Sequence, residues 1–513
     1  MSLAAAAIPA ETRDTLALAD KNVTYSWAEL DPILNRTTNA LLSLAGASQT
    51  RRIAVFARNS AETMIAYLAS LEAGVSSVPV SFHLTQGEVE YILRDSGATA
   101  LFIGPETAEV GLAAAREAGI AQVIGWRCEG RENIVDWHAW LASASAEDPP
   151  IDTPMMVHLH YTSGTTGRPK AAETPPGYLP RVGTVAALAQ TLRARALPAP
   201  TLVAGPLYHT GPLGSVRNML GGVSAVVMES FDPQEVLRII EQYGIGNSVM
   251  VPTHFQRLLE LPADVRSRYD LSSLKRLAHT GAACPVAVKQ GMIDWIGPIL
   301  FDAYGATEAG TTNMITSEEW LRKPGSVGRA LSPFEVLILD EGDDPLPANQ
   351  VGRLFFRDTT GRGVIYHNDP VKTAEAHISP GVFTLGEMGY VDEDGYVFIT
   401  DRVSDMIVSG GVNIYPAEAE HVLMRHPLVA DVAVIGIPDK DMGEAAHALI
   451  IAVDRADPPT ADQLNRFCRE ALAGYKCPRS YEMVEDIGRS AMGKVNKRQL
   501  RQKYWPTVRT IGG

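Results

Sequence analysis

The chain has 513 residues, 46% of them hydrophobic and 20% charged. This is ordinary globular composition but too long for one core, so two or more domains are expected. The formal net charge of -14 argues against nucleic-acid binding through the overall field, and any anionic substrate must be met by local basic groups, helix N-termini or a metal.

The N-terminal MSLAAAAIPAETRD is apolar but has no basic region before it, so no signal peptide is expected. No apolar run approaches the ~20 residues of a membrane span. Peripheral membrane contact is left open. Residues 51–57 and 75–82 read as strands, and NSAETMIAYLASLEAG between them reads as a helix. That order argues for a parallel α/β layer. The pattern recurs at 201–252. There TLVAGPLYH, SAVVME and NSVMVP read as strands, with a helix from Asp232 (cap) and Pro233 (first turn) to Gly244. From 325 to 400, VGRLFFRD and GYVDEDGYVFIT suggest hairpins of a small β subdomain. Beyond 401 a helix, two strands and a second helix form a compact α+β unit. The cysteines, Cys128, Cys284, Cys468 and Cys477, form no C-x-x-C pair and no zinc spacing, which reads as free thiols in a reducing cytoplasm.

The strongest motif is Tyr161-Thr-Ser-Gly-Thr-Thr-Gly-Arg-Pro-Lys170. Gly164 and Gly167 permit backbone conformations in which successive amides converge on an anion. Ser163, Thr165 and Thr166 add hydroxyls, and Lys170 adds a charge. No Gly-Lys-Ser/Thr triplet follows, so this polyphosphate cradle is not a Walker A loop.

The loop resembles the signature of the adenylate-forming superfamily: acyl-CoA synthetases, peptide-synthetase adenylation domains and firefly luciferase. The likeness runs from residues 18–30 to Gly493-Lys494, and Ser-Phe-His-Leu-Thr-Gln-Gly-Glu-Val-Glu-Tyr-Ile-Leu (81–93) is similar to a segment of acyl-CoA synthetases in particular. It implies an α/β fold: a large N-terminal domain of several subdomains with parallel sheets and a small β subdomain (1–401), a hinge (402–405), and a small mobile α+β C-terminal domain (406–513). The hinge position aligned with Ser404 is often Lys or Asp in the family. Ala171-Ala172-Glu173 after the loop also departs from the family pattern.

The resemblance implies ATP, Mg²⁺ and coenzyme A as cofactors and co-substrate. Thr162, Ser163, Gly164, Thr165, Thr166, Gly167 and Lys170 would bind nucleotide. So would Gly281, Ala282, Ala283, Asp302, Ala303, Tyr304 (stacking on adenine), Gly305 and Thr307, of which Tyr304, Gly305 and Thr307 belong with Glu308 to a run that reads as one turn after a short strand. Glu308 and Thr166 would bind the metal. Glu387 stands where the family usually has a ribose-binding Asp, and Arg402 would contact ribose or phosphate. Lys494 would reach into the site during adenylation, because carboxylate and triphosphate are both anionic and a cation must offset their repulsion. Ser409, Gly410 and Gly411, with Tyr475 and Lys476, would flank the CoA tunnel.

His209 reads either as a core histidine or as the border of the acyl carboxylate; with Lys494, Thr307 and Glu308 it completes the expected catalytic set. Val251, His254 and Ala306 are further candidates for the acyl wall, mostly uncharged, which suits a hydrophobic monocarboxylic acid. Arg217 and His254 could instead read a second carboxylate. The expected function is a cytoplasmic acid–CoA ligase, with homodimerisation left open. Two rivals stand beside it: an adenylation enzyme loading a carrier protein, and a non-catalytic nucleotide- or acyl-binding homologue.

Overall fold

The computed structural model describes residues 1–46, 51–150, 152–162, 169–173, 182–281, 284, 286–340, 342–402, 407–414, 416–488, 495 and 497–505. Its first sheet is wholly parallel, in the order Ser76–Pro79, Arg52–Phe56, Ala100–Ile103, Gln122–Gly125, Val135–Asp136. The helix Ala61–Glu72 follows Arg52–Phe56 and is buried along its whole length, with Ser60 accepting a hydrogen bond from the Thr63 amide. A helix apolar all round must be enclosed on every side. The N-terminal segment helps to enclose it: the Ala4 amide donates to Glu72 Oε1 at 2.9 Å and the Ser2 amide to Asp31 at 2.6 Å.

The second sheet has nine strands and carries most of the site. Its parallel centre runs through Leu16–Ala19, Ala225–Val227, Thr201–Val203, Asn247–Met250, Arg276–His279 and Leu300–Ala306. The helix Pro233–Tyr243 takes the expected bounds, because Asp232 accepts from the Glu235 amide and Pro233 lacks the amide that would go unpaired there.

One expectation needs correcting. Tyr304-Gly-Ala-Thr-Glu308 is not a turn after a short strand. Tyr304, Gly305 and Ala306 belong to the strand Leu300–Ala306, which pairs antiparallel with Gly310–Thr316; only Thr307 and Glu308 lie in the connection. The register shifts between Tyr304 and Gly305. A Cβ at Gly305 would fall 1.9 Å from the Gly310 carbonyl oxygen, so this irregularity demands glycine.

The small β subdomain is a sheet of Phe334–Leu339, Gly352–Asp358, Val382–Val391 and His377–Ser379, with Val397–Arg402 on Val382–Val391. The next described strand, Ile407–Ser409, belongs to a different sheet, so the change of sheet falls across 403–406 and Ser404 lies outside the described residues. That last sheet joins Val412–Ile414, Ile407–Ser409, Gly443–Ala452, Val429–Asp439 and Ser480–Met483. The helices Pro416–Leu423 and Ala461–Ala471 close one of its faces through Leu423, Val434, Leu464 and Cys468. Among the described residues no helix is long and apolar enough to cross a membrane.

Candidate active site

Where the strands of the nine-stranded sheet end, the β subdomain and the C-terminal sheet meet around one cavity of about 1120 Å³. This is the position that open α/β sheets offer to ligands, beyond the carboxyl ends of their strands. Most of the sequence candidates converge on it: Thr162, Lys170, Gly281, Asp302 to Glu308, Glu387, His209, Val251 and His254, with Gly410, Gly411, Tyr475 and Lys476 from the C-terminal sheet. Ser409 is not in the wall; it ends a strand paired with Val412 and Gly443 and is 5% exposed. The backbone of Arg402 pairs with Glu387. Ser163 to Gly167, Ala282, Ala283 and Lys494 lie outside the described residues.

Tyr304 and Glu387, proposed from separate motifs, are joined: the phenol donates to Glu387 Oε2 at 2.8 Å. Glu387 sits mid-strand on Val382–Val391, and Tyr304 reaches it from the neighbouring sheet. Glu308 Oε1 accepts from Thr162 at 3.2 Å and from Tyr366 at 3.5 Å. Lys170 lies 5.2 Å from the centre of the Tyr366 ring. Burial, and then Lys372 nearby, hold the Lys170 ammonium below its ordinary pKa. Thr162, Lys170, Tyr366 and Glu308 thus form one polar corner. Sequence reading missed Tyr366, which stands in no motif.

Among the described residues no three carboxylates, histidines or cysteines gather as a metal cage. Glu308 nevertheless fits Mg²⁺, a hard cation that is commonly bound by one or two carboxylates together with substrate phosphates. Its Oε2 makes no hydrogen bond to the described residues.

The imidazoles of the cavity are neutral. Burial pushes His209 down to about 4, with His83 adding to the effect. Burial likewise takes His160 to about 3, helped by His209 and Arg217, and His254 to about 3, helped by Arg257. His254 stacks on Phe231 with 3.8 Å between ring centres, the contact of an aromatic wall. Gly211 and Gly214, on the first turns of the helix Thr210–Leu220, and Val249 also line this region.

The C-terminal unit is docked by identifiable contacts. The Lys476 ammonium, 2% exposed, lies 2.7 Å from Glu88 Oε1 in the N-terminal part and 2.8 Å from Glu418 Oε2 in its own. Burial works against its charge, but Tyr475, Glu418 and Glu88 outweigh that and keep its pKa above the ordinary lysine value. Its charge is therefore committed to carboxylates, and only part of the side chain remains for the cavity wall. Tyr475 meets His83 edge-on at 5.6 Å. Gly410 and Gly411 have φ of +57° and +79°; a Cβ would come within 2.3 Å of Met442 Cε in the first and 3.2 Å of Val251 in the second. Both conformation and space demand glycine here.

The AMP-binding enzyme family matches residues 5–363, and the AMP-binding enzyme C-terminal domain matches 418–494. A feruloyl-CoA synthase from Amycolatopsis sp is 34% identical, covering 93% of this chain and 94% of its own. A fatty acid–[acyl-carrier-protein] ligase, ScoC, from Streptomyces coeruleorubidus is 31% identical, covering 94% and 92%. Among solved structures, the amide bond synthetase McbA from Marinactinospora thermotolerans superposes with a TM-score of 0.83 at 26% identity, over 98% of this chain and all of that one (100%). The o-succinylbenzoate CoA synthetase of Bacillus subtilis, bound with its product analogue OSB-NCoA, superposes with a TM-score of 0.80 at 25% identity, covering 98% of each chain. The joined Tyr304–Glu387 pair, the Thr162–Lys170–Glu308 corner and the two matched domains agree: this chain belongs to the AMP-binding enzyme family of adenylate-forming ligases.

Proposed function

We propose that the protein is an ATP-dependent acid–CoA ligase acting on an apolar monocarboxylic acid. In the first half-reaction the acid's carboxylate attacks the α-phosphorus of ATP and pyrophosphate leaves, giving acyl-AMP. In the second the CoA thiolate attacks the acyl carbon and AMP leaves. Tyr304 stacks on adenine, Glu387 takes the ribose hydroxyls with Arg402 beside it, and Lys170 with the 162–167 loop holds the phosphates. Thr307 contacts the phosphate or the acyl carboxylate. Glu308, with Thr166, holds Mg²⁺, which supplies charge neutralisation at the phosphates. Lys494 offsets the repulsion between the two anions. A neutral His209 borders the acyl carboxylate as a hydrogen-bonding group rather than as a cation. A hinge at 402–405 lets the C-terminal domain, 406–513, present Lys494 and then its CoA face.

The observation that carries the CoA half is the docking of Gly411 on Val251 at the cavity edge, with Gly410 beside it in the cavity wall. Bare backbone lets the C-terminal sheet approach Val251 this closely, which brings it to the cavity edge where a slender pantetheine arm would pass between the two domains. Coenzyme A and a carrier protein share that arm, and ScoC carries the carrier in its name. Thioester formation with free CoA, set against an acylated carrier, distinguishes the acceptors.

The neutral histidines and the Phe231–His254 stack favour an apolar acyl body. Pyrophosphate release with a panel of acids tests both adenylation and substrate class. Apolar monocarboxylates should outperform malonate and amino acids by roughly tenfold or more, since burying a charge without a dedicated partner is costly. Faster turnover of a short dicarboxylate would overturn the acyl assignment and point to Arg217, which lines the cavity. Absence of pyrophosphate release with every acid would leave the non-catalytic reading.

A further inference from the structure

Lys289 belongs to no motif and takes no part in the scheme above, yet its side chain is 1% exposed. It stands on the buried stripe of the helix Val286–Ile296 with Met292 and Ile293, a place that helical spacing normally gives to an apolar residue. Its ammonium donates to Asp302 Oδ2 at 3.2 Å and lies 5.0 Å from the centre of the Trp320 ring. The His279 ring, wholly buried, places Nε2 3.6 Å from the same oxygen, and burial leaves that imidazole neutral with a pKa of about 4. Asp302 is 13% exposed and lines the cavity between Gly281 and Tyr304. Its other oxygen, Oδ1, makes no hydrogen bond among the described residues.

A buried ion pair is weak evidence for stability, because desolvation of the two charges offsets their attraction and an apolar pair of similar volume does as well. What this pair does accomplish is geometric. One carboxylate oxygen is held by Lys289 from a neighbouring helix, which leaves the other for the cavity, two residues from the ring that stacks on the base. An ionised carboxylate only accepts hydrogen bonds. At the edge of a purine it suits an exocyclic amine and disfavours a carbonyl.

We propose that Lys289 is a positioning residue for nucleobase selection: it anchors Asp302 so that Oδ1 accepts a hydrogen bond from the 6-amino group of adenine. The inference rests on the assignment of this cavity to ATP. Losing Lys289 leaves Asp302 without its anchor, so that it no longer presents a fixed acceptor to the base.

The test is nucleotide binding by calorimetry, with ATP, purine ribonucleoside triphosphate (which lacks the amine) and inosine triphosphate (which carries a carbonyl there). The unaltered protein should bind ATP roughly 10- to 100-fold more tightly than the deaminated analogue, the range of a hydrogen bond to a charged group, and should bind inosine triphosphate no better than that analogue. In Lys289→Met the preference should collapse to within about threefold, through loss of ATP affinity rather than of analogue affinity. Lys289→Arg, which keeps a buried donor, should restore part of it. Equal weakening toward all three nucleotides in a folded Lys289→Met would show a merely structural role and overturn the proposal, as would full retention of the preference. Should Lys289→Met not fold, Asp302→Ala read against the same nucleotides decides, since it must abolish the preference if Asp302 is the reader. Failure of the unaltered protein to bind ATP at all would instead overturn the nucleotide assignment itself.

Discussion

In Lys494→Ala, acyl-adenylate formation falls by roughly 10²- to 10³-fold, the usual cost of losing one positioned electrostatic donor, while supplied acyl-adenylate and CoA still give thioester. The argument begins with charge. An acid and a triphosphate repel each other, and the net charge of -14 shows that the protein as a whole does nothing to help. A cation must therefore be brought to the α-phosphorus. Once acyl-AMP exists, that cation has no further task, and the thiol needs room. The described arrangement brings Gly410, Gly411 and Tyr475 to the cavity, which is the face proposed for CoA. Pyrophosphate release measures the first half-reaction, and thioester formation from synthetic acyl-AMP measures the second. Equal loss in both, with the fold verified, would refute the alternation of the C-terminal domain.

The opposite separation is expected of Lys476→Met. Removing one partner from a buried charge cluster costs about 3–5 kcal/mol, because the remaining charges are left uncompensated. Here two carboxylates, Glu88 and Glu418, would face each other without the ammonium at 2.7 and 2.8 Å that separates them. Thioester formation should fall by roughly 10²-fold or more, with adenylation changed by no more than about threefold. Glu88→Gln isolates the contact between the two parts of the chain. It keeps the oxygen that caps the helix Gln86–Ser96, where Thr85 donates from its amide and hydroxyl at 2.9 Å each, and replaces the charged acceptor facing Lys476 by an amide NH2 that cannot accept. Its effect should run in the same direction and be about tenfold, one charged hydrogen bond's worth. If both variants lower the two half-reactions alike, the triad serves the fold rather than the docked state.

Much of this was legible because motif and geometry coincide. The helix bounds at Asp232 and Gly244 follow from local capping, which a sequence displays directly. Tyr304 and Glu387 were each visible as motif residues, although 83 positions separate them and their hydrogen bond depends on how two sheets meet. The Asp-to-Glu departure acquires a physical setting there, since the longer side chain is the one held by the tyrosine. Lys476 was legible as a position but not as a role. Nothing in Tyr475-Lys476 announces that Glu88, 388 residues away, will take its charge. Glu88 stood in the sequence only within the segment 81–93, and both its capping box with Thr85 and its hold on Lys476 emerge from the structure. Lys289 left one signal, a lysine on an apolar helical stripe, which only a partner found in three dimensions explains. The hairpin at Tyr304 was misread as a turn because its strand continues through a glycine and an irregular register, where period-two patterning breaks down.

The buried Glu72 that receives the Ala4 amide also makes folding a proton-uptake reaction. Burial, reinforced by Asp31 and opposed by that amide, raises its pKa from 4.5 to about 7. Between those values the folded chain holds a proton that the unfolded chain has released. Its contribution to stability is therefore complete in acid below the unfolded value and is lost as the pH climbs through about 7. Urea midpoints should decline across that window in the unaltered chain, and the decline should flatten in Glu72→Gln, whose amide carries no titratable proton. An unchanged slope in the variant would assign the pH response to other groups. The N-terminal segment is thus fastened to a carboxyl group whose ionisation tightens the bond to the Ala4 amide, while the burial of the resulting charge is what costs the folded chain stability toward alkaline conditions.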